Sequence, residues 1–259
     1  MYHSLVQRKR KQKRKGETDM NKIIAITNRK GGSGKTTTAK NLAYDLTLNG
    51  KHVLLIDLDP QCNATEGLTS RKYSRTVIGM LEWMPVRKCI YKTRFKDLDI
   101  LPGNDYLAST EVQDDILIKQ VLPIREDYDH IVIDTSPYFN KLTAEILKIS
   151  DLVIIPTLLE DDSMRGVMTT IQELMALFGE SIRCRVLATM VDRSKYAENL
   201  FTALKEDIGT LCFDTYIREN RIPVRRARQH HAPLSYRYRY TSKAARDYER
   251  LTKEILEVI

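Results

Sequence analysis

The chain has 259 residues, 42% of them apolar and 29% charged, with a formal net charge of +8. That length suits one large α/β domain, and no run approaches the ~18–20 consecutive apolar residues of a membrane-spanning helix, which excludes an integral α-helical membrane protein. The N-terminus is basic but lacks the apolar core of ~7–15 residues of a secretory signal, so a cytoplasmic protein is expected; Cys62, Cys89, Cys184 and Cys212 form no C-x-x-C pair and read as reduced thiols.

In chain order, residues 1–19 come first, with seven basic side chains against Glu17 and Asp19, and read as a disordered basic tail ahead of a domain spanning residues 20–259. From residue 22 short apolar runs alternate with longer amphipathic stretches, the rhythm of βαβ units. Strands are expected over 23–27, 53–57, 98–101, 130–134, 152–156, 185–190 and 211–216. Helices are expected over 36–48, 111–122, 141–149, 163–178, 196–208 and 242–259, with loop and short helix over 60–95. Runs such as Ile131-Val132-Ile133 and Leu152-Val153-Ile154-Ile155 are apolar on both faces, as buried parallel strands require. The expected fold is α/β, a doubly wound, mostly parallel sheet with helices on both faces.

A second basic segment, residues 218–243, holds Arg218, Arg221, Arg225, Arg226, Arg228, Arg237, Arg239 and Lys243 against Glu219 alone, interleaved with Tyr236, Tyr238 and Tyr240. Two concentrated basic segments on a mildly acidic body point to a polyanion, because clustered Lys and Arg displace counterions condensed on nucleic acid. A solvated surface is the bland alternative.

The strongest local signal is Asn28-Arg29-Lys30-Gly31-Gly32-Ser33-Gly34-Lys35-Thr36-Thr37, after one expected strand and opening a helix. Gly31, Gly32, Ser33 and Gly34 suit a backbone that wraps phosphates at a helix N-terminus; Lys35 reaches the β and γ oxygens, and the Thr36 hydroxyl suits Mg²⁺. Arg29 stands where the usual phosphate-loop pattern has its first glycine. Asp57 and Asp59 follow the next strand, and Asp134 ends a later buried one, placing three carboxylates at the ligand edge of such a sheet. Thr36, Asp57 and Asp134 are the candidate metal ligands, and Asp59 is the candidate for orienting an attacking water.

Together, Lys30 to Thr38 with Ala39-Lys40-Asn41-Leu42-Ala43, Val53 to Gln61, Asn63-Ala64-Thr65, Asp134 to Pro137, and Thr189-Met190 with Asp192 resemble the ParA family of partition ATPases, of the deviant Walker A class that includes MinD. The resemblance spans about residues 20–259. It implies ATP and Mg²⁺ as cofactors and an ATP-state homodimer in which Lys30 reaches the partner's nucleotide while Lys35 serves its own. It further implies non-specific binding to double-stranded DNA through residues 218–243, hydrolysis stimulated by a ParB-like centromere-binding protein, segregation of a plasmid or chromosome, and a cytoplasmic, nucleoid-associated location. Three departures bear on nucleotide contact and partner coupling: Ser136 for the usual proline, Cys62 for the usual glycine, and Pro156-Thr157-Leu158-Leu159 for a proline–glutamine segment. With 19 residues before Met20, no operator-reading domain is expected.

Two alternatives share the phosphate-loop class. A bacterial tyrosine kinase has a tyrosine cluster on a free tail, whereas Tyr236, Tyr238 and Tyr240 precede an expected helix. A MinD-like membrane ATPase needs a terminal basic amphipathic helix, whereas Asp247, Glu249, Glu254 and Glu257 punctuate residues 246–259, so membrane docking is not expected.

Overall fold

The computed structural model describes residues 21–179 and 183–259; the basic run over 1–19 lies outside the described residues. Seven strands form one sheet: β1 (Lys22–Ile26), β2 (Val53–Leu58), β3 (Tyr91–Lys92), β4 (Leu98–Leu101), β5 (His130–Thr135), β6 (Leu152–Leu158) and β7 (Cys184–Thr189), in the order β3-β4-β2-β5-β1-β6-β7. All neighbours run parallel except β3, a two-residue antiparallel edge on β4.

Alternate residues of each central strand feed opposite cores. Ile23, Ala25, Leu54, Ile56, Ile131 and Ile133 join one cluster, while Ile24, Ile26, Val53, Leu55 and Val132 join the other. This is why the strands read as unbroken apolar runs: a strand with a helical layer on each face has no polar side. The first face is covered by α3 (Val77–Leu81), α4 (Ile116–Val121), α5 (Lys141–Ile149), α6 (Asp161–Phe178) and α7 (Lys195–Ile208); short α2 (Asn63–Glu66) follows β2. The second is covered by α1 (Lys35–Leu48) and α10 (Lys243–Val258), with α8 (Arg221–Gln229) and α9 (Leu234–Tyr238) packed beside them.

The expected strand over 211–216 is not formed. Phe213 and Ile217 N–H groups still donate to the Val186 and Ala188 carbonyls, at 3.0 and 2.9 Å, so the segment follows β7. Between them, the Asp214 and Thr215 N–H groups donate instead to the Glu254 carboxylate of α10, at 2.7 and 2.9 Å, which pulls the backbone out of the ladder and leaves isolated bridges. The helix expected over 111–122 starts only at Ile116, because the Glu145 carboxylate of α5 caps its first turn through the Asp115 and Leu117 N–H groups. Neither α8 nor α9 was expected. Helix α8 buries little beyond Ala227, with Pro223 and Val224 half-buried, so its apolar stripe is only two turns long among arginines. Its end is fixed by Arg94, which donates to the His230 and His231 carbonyls at 2.7 Å.

Candidate active site

The turn between β1 and α1 is tied down from both sides. Asn28 donates to the Pro156 carbonyl at 2.6 Å and accepts from the Lys30 N–H at 2.9 Å. Across the loop, the Thr189 hydroxyl at the end of β7 lies 2.8 Å from the Ser33 carbonyl and 3.0 Å from that of Thr157. Both β6 anchors are backbone carbonyls, so the departure at 156–159 leaves this framework intact. Gly32 and Gly34 sit at φ +74° and +93°, left-handed geometry that glycine adopts without a Cβ penalty, and Gly34 starts the helix.

Gly31, Gly32, Gly34, Lys35, Thr36 and Thr37 line a cavity of about 340 Å³, closed by Asp59, Gln61, Lys40 and Arg228 among others. Ser33 is buried beneath the loop. The Lys35 ammonium donates to the Lys30 carbonyl at 3.1 Å; burial lowers its pKa while Asp134 and Asp59 oppose the shift. Lys30 itself pairs with Glu160 at 2.7 Å, both side chains being well exposed. Arg29 points away, to Glu173 at 3.0 Å and over the Phe139 ring.

The three carboxylates differ sharply. Asp57 and Asp134 are register partners on β2 and β5, both fully buried. Asp57 is partnered on both oxygens: one accepts from the Thr65 N–H and hydroxyl at 2.8 and 2.7 Å, the other from the Asp59 N–H at 3.2 Å. These bonds make it the staple of the 59–65 loop, and its place as register partner of Asp134 keeps it beside the candidate metal ligands. Burial still pushes its carboxyl up to about 6. Gly103 faces it so closely that a Cβ there would meet its carboxyl carbon at 2.9 Å.

Asp134, by contrast, has no hydrogen-bond partner on either oxygen among the described residues. Burial first, then the neighbouring Asp57, raise its pKa well above the usual carboxylate range, against the pull of the Thr36 hydroxyl and Lys35. A buried, unpartnered carboxylate beside Thr36 is the donor set that a hard divalent cation satisfies. Asp59 remains at the cavity wall, its carboxylate accepting from the Gln61 N–H at 2.9 Å.

Beside Gly34 and Thr37 opens an apolar slot of about 120 Å³, lined by Met190, Ile217, Val224, Ala244 and Tyr248, with Glu219 and Asn220 among its polar lining. Its walls come from β7, α8 and α10, too scattered in sequence for spacing to reveal. Lys40 was also missed; standing four residues after Thr36, it shares that residue's helical face.

The eight basic residues of 218–243 separate into groups. Arg218 makes a two-pronged pair with fully buried Asp247, at 2.9 and 2.7 Å, and Arg239 pairs with Glu249 at 2.9 Å, so both partly exposed charges are already partnered. Arg228 donates to Asn63 at 2.9 Å and lines the phosphate-loop cavity. Arg221 is exposed and paired with Glu219, Lys243 is half-buried, and Arg225, Arg226 and Arg237 are exposed with no ion pair among the described residues. Tyr236 packs on Phe95 and Tyr44, while Tyr240 is 85% exposed and leads into α10, so this is no free tyrosine tail.

Residues 21–184 match the family model described as an AAA domain. The chain is 34% identical to the sporulation initiation inhibitor protein Soj of Bacillus subtilis, covering 91% of this chain and 98% of that one. It is also 34% identical to the chromosome-partitioning ATPase Soj of Thermus thermophilus, over 90% and 94% of the two chains. Its fold matches a putative plasmid partition protein of Borrelia burgdorferi bound to AMPPNP, with TM-score 0.80 at 23% identity, covering 92% of this chain and 99% of that one. A mostly parallel sheet with a glycine-rich phosphate loop after its central strand, joined to near full-length similarity with these proteins, makes this chain a member of the ParA/Soj family of partition ATPases.

Proposed function

We propose that the chain is an ATP-switched partition ATPase: an ATP-state homodimer that binds double-stranded DNA without sequence preference and hydrolyses ATP when a ParB-like centromere-binding protein engages it. The reading places it in the cytoplasm on the nucleoid, segregating a plasmid or chromosome. Among the described residues no helix is long and apolar enough to cross a membrane, and the apolar face of α10 is packed against α1, which leaves it unavailable for a MinD-like membrane contact.

Lys35 and the loop from Gly31 to Thr37 bind the phosphates of the chain's own nucleotide, and the slot by Met190 and Tyr248 takes the base. Asp134 and Thr36 would hold Mg²⁺, which supplies charge neutralisation at the β and γ oxygens. Asp59 orients the attacking water. Lys30 turns from Glu160 to the partner's nucleotide, exchanging an exposed ion pair worth ~0–1 kcal/mol for a contact with more charge.

The observation that carries the DNA half is α8. Arg225 and Arg226 are exposed and unneutralised on a helix whose Arg228 lines the phosphate-loop cavity, so one rigid element spans both sites. If dimerisation doubles this surface to about 6–10 phosphate contacts, affinity falls by roughly 10³–10⁵ between about 50 and 200 mM salt. The test is random-sequence duplex binding with ATP and with ADP, in the parent and in Arg225→Ala/Arg226→Ala. Dimerisation doubles the 1–19 run as well, so the measurement is made on a chain starting at Met20. The double variant should weaken ATP-state binding and lower the salt slope by about 1 per lost contact. Equal binding with ATP and ADP, or an unchanged slope, overturns the DNA assignment.

A further inference from the structure

Lys40 is the one charged group of the α1 face next to the phosphates for which the mechanism above has no use. Only 7% of its surface is exposed, and its ammonium makes no hydrogen bond or ion pair among the described residues. Burying an unpaired ammonium is expensive, and the fold nonetheless makes room for it. A Cβ on Gly67 would lie 2.0 Å from the Lys40 Nζ and 2.6 Å from its Cδ, so the side chain runs through space that only glycine leaves open. Burial pulls its pKa down to about 8, with Arg228 adding to the fall and Asp134 opposing it.

Lys40 lines two cavities. One is the phosphate-loop pocket; the other is a cleft of about 340 Å³ between α1 and α8, lined by Lys40, Asn41, Arg221, Arg225 and Arg228 with no carboxylate in its wall. The two share Thr37, Lys40 and Arg228, so they adjoin across these side chains. A cleft whose charged groups are all of one sign and carry hydrogen-bond donors is a site for a small anion. A duplex backbone can reach the rim arginines, but a side chain 93% covered lies too deep for a phosphate still attached to a helix.

We propose that this cleft is a second phosphate site, which takes the inorganic phosphate released by hydrolysis as it leaves the phosphate-loop pocket. The proposal rests on the ATPase reading and extends it. Hydrolysis gives ADP and orthophosphate; ADP keeps the loop while the orthophosphate passes Lys40 and Arg228, whose donors replace the water it would otherwise need. Bound phosphate supplies the direct ion-pair partner that Lys40 lacks among the described residues.

The test saturates the full chain with Mg-ADP, so the loop is filled, and titrates it with ³²P-orthophosphate in equilibrium dialysis. One additional site per chain is expected, weakened tenfold or more by Lys40→Met and by Arg228→Gln, and changed less than twofold by Lys195→Ala, which removes an exposed lysine elsewhere. Arg228→Gln leaves α1 untouched and guards against misfolding of the first variant. A parallel arm titrates the same variants with a short duplex. If orthophosphate does not bind the ADP form, or binds Lys40→Met as well as the parent, the proposal is wrong. If only the duplex binds and Lys40→Met weakens it tenfold, the cleft serves DNA and the proposal is equally overturned. Failure of Mg-ADP itself to bind would instead remove the ATPase reading and this inference with it.

Discussion

Thr189 shows how much of the site depends on a residue that carries no charge. Its hydroxyl sits between the Ser33 and Thr157 carbonyls, so Thr189→Val leaves both without that partner. The expected cost is about 1–3 kcal/mol of stability, with a weaker nucleotide complex as the loop loses its tether to β6 and β7. Chemical denaturation and calorimetry with ADP check both parts, and unchanged nucleotide affinity would show that the loop needs no such tie. Lys35→Ala should abolish ATP binding, because it removes the ammonium next to the β and γ oxygens. At this scale the sequence was legible where chemistry is encoded locally: Lys35, Thr36 and Asp134 follow from a contiguous loop and a strand end. The second task of Asp57 was not legible, because only the fold reveals that Thr65, eight residues on, donates twice to one of its oxygens. Cys62 is a clearer case of a departure with a physical reading. It holds φ +52°, the left-handed region, which explains why glycine is the usual residue there.

At the scale of elements, the joint between α1 and α9 makes a pH prediction. Asp45 is buried, one oxygen accepting from Ser235 at 3.0 Å and the other unpartnered among the described residues. Burial, helped by Glu249 and opposed by Ser235 and Arg239, pushes its carboxyl from 3.8 up to about 7. The folded chain therefore keeps a proton that the unfolded chain releases at 3.8, so this contribution to stability is present below that value and is lost as pH rises through about 7. Asp45→Asn should raise the melting temperature at about pH 8.5, by up to ~4 kcal/mol equivalent, with little effect near pH 4. Equal effects at both would contradict the assignment. The central βαβ units were legible because their periodicity is set by burial on both faces. Helix α8 was not, since an arginine-rich helix fixed by Arg94 and Ala227 has too short a stripe to read, and the segment over 211–216 lost its strand to Glu254, a residue of a helix about 40 positions away.

For the whole molecule, the account makes the sheet a device for bringing one nucleotide against a second copy of the chain. Asp59 and Lys30 are the residues that separate its steps. Asp59→Ala leaves the phosphate loop and Asp134 intact, so it should bind ATP and be trapped as a dimer. Lys30→Ala should bind ATP yet neither dimerise stably nor turn over, because its contact lies across the interface. Dimerisation is also what the proposed DNA surface on α8 requires, since one copy would hold half the phosphate contacts and bind far more weakly. The most direct measurement is the sedimentation mass of the parent, Asp59→Ala and Lys30→Ala with Mg-ATP and with Mg-ADP. A persistent dimer is expected for Asp59→Ala with ATP, monomers for every form with ADP, and a monomer for Lys30→Ala with ATP; a stable Lys30→Ala dimer with normal turnover would overturn the proposed switch.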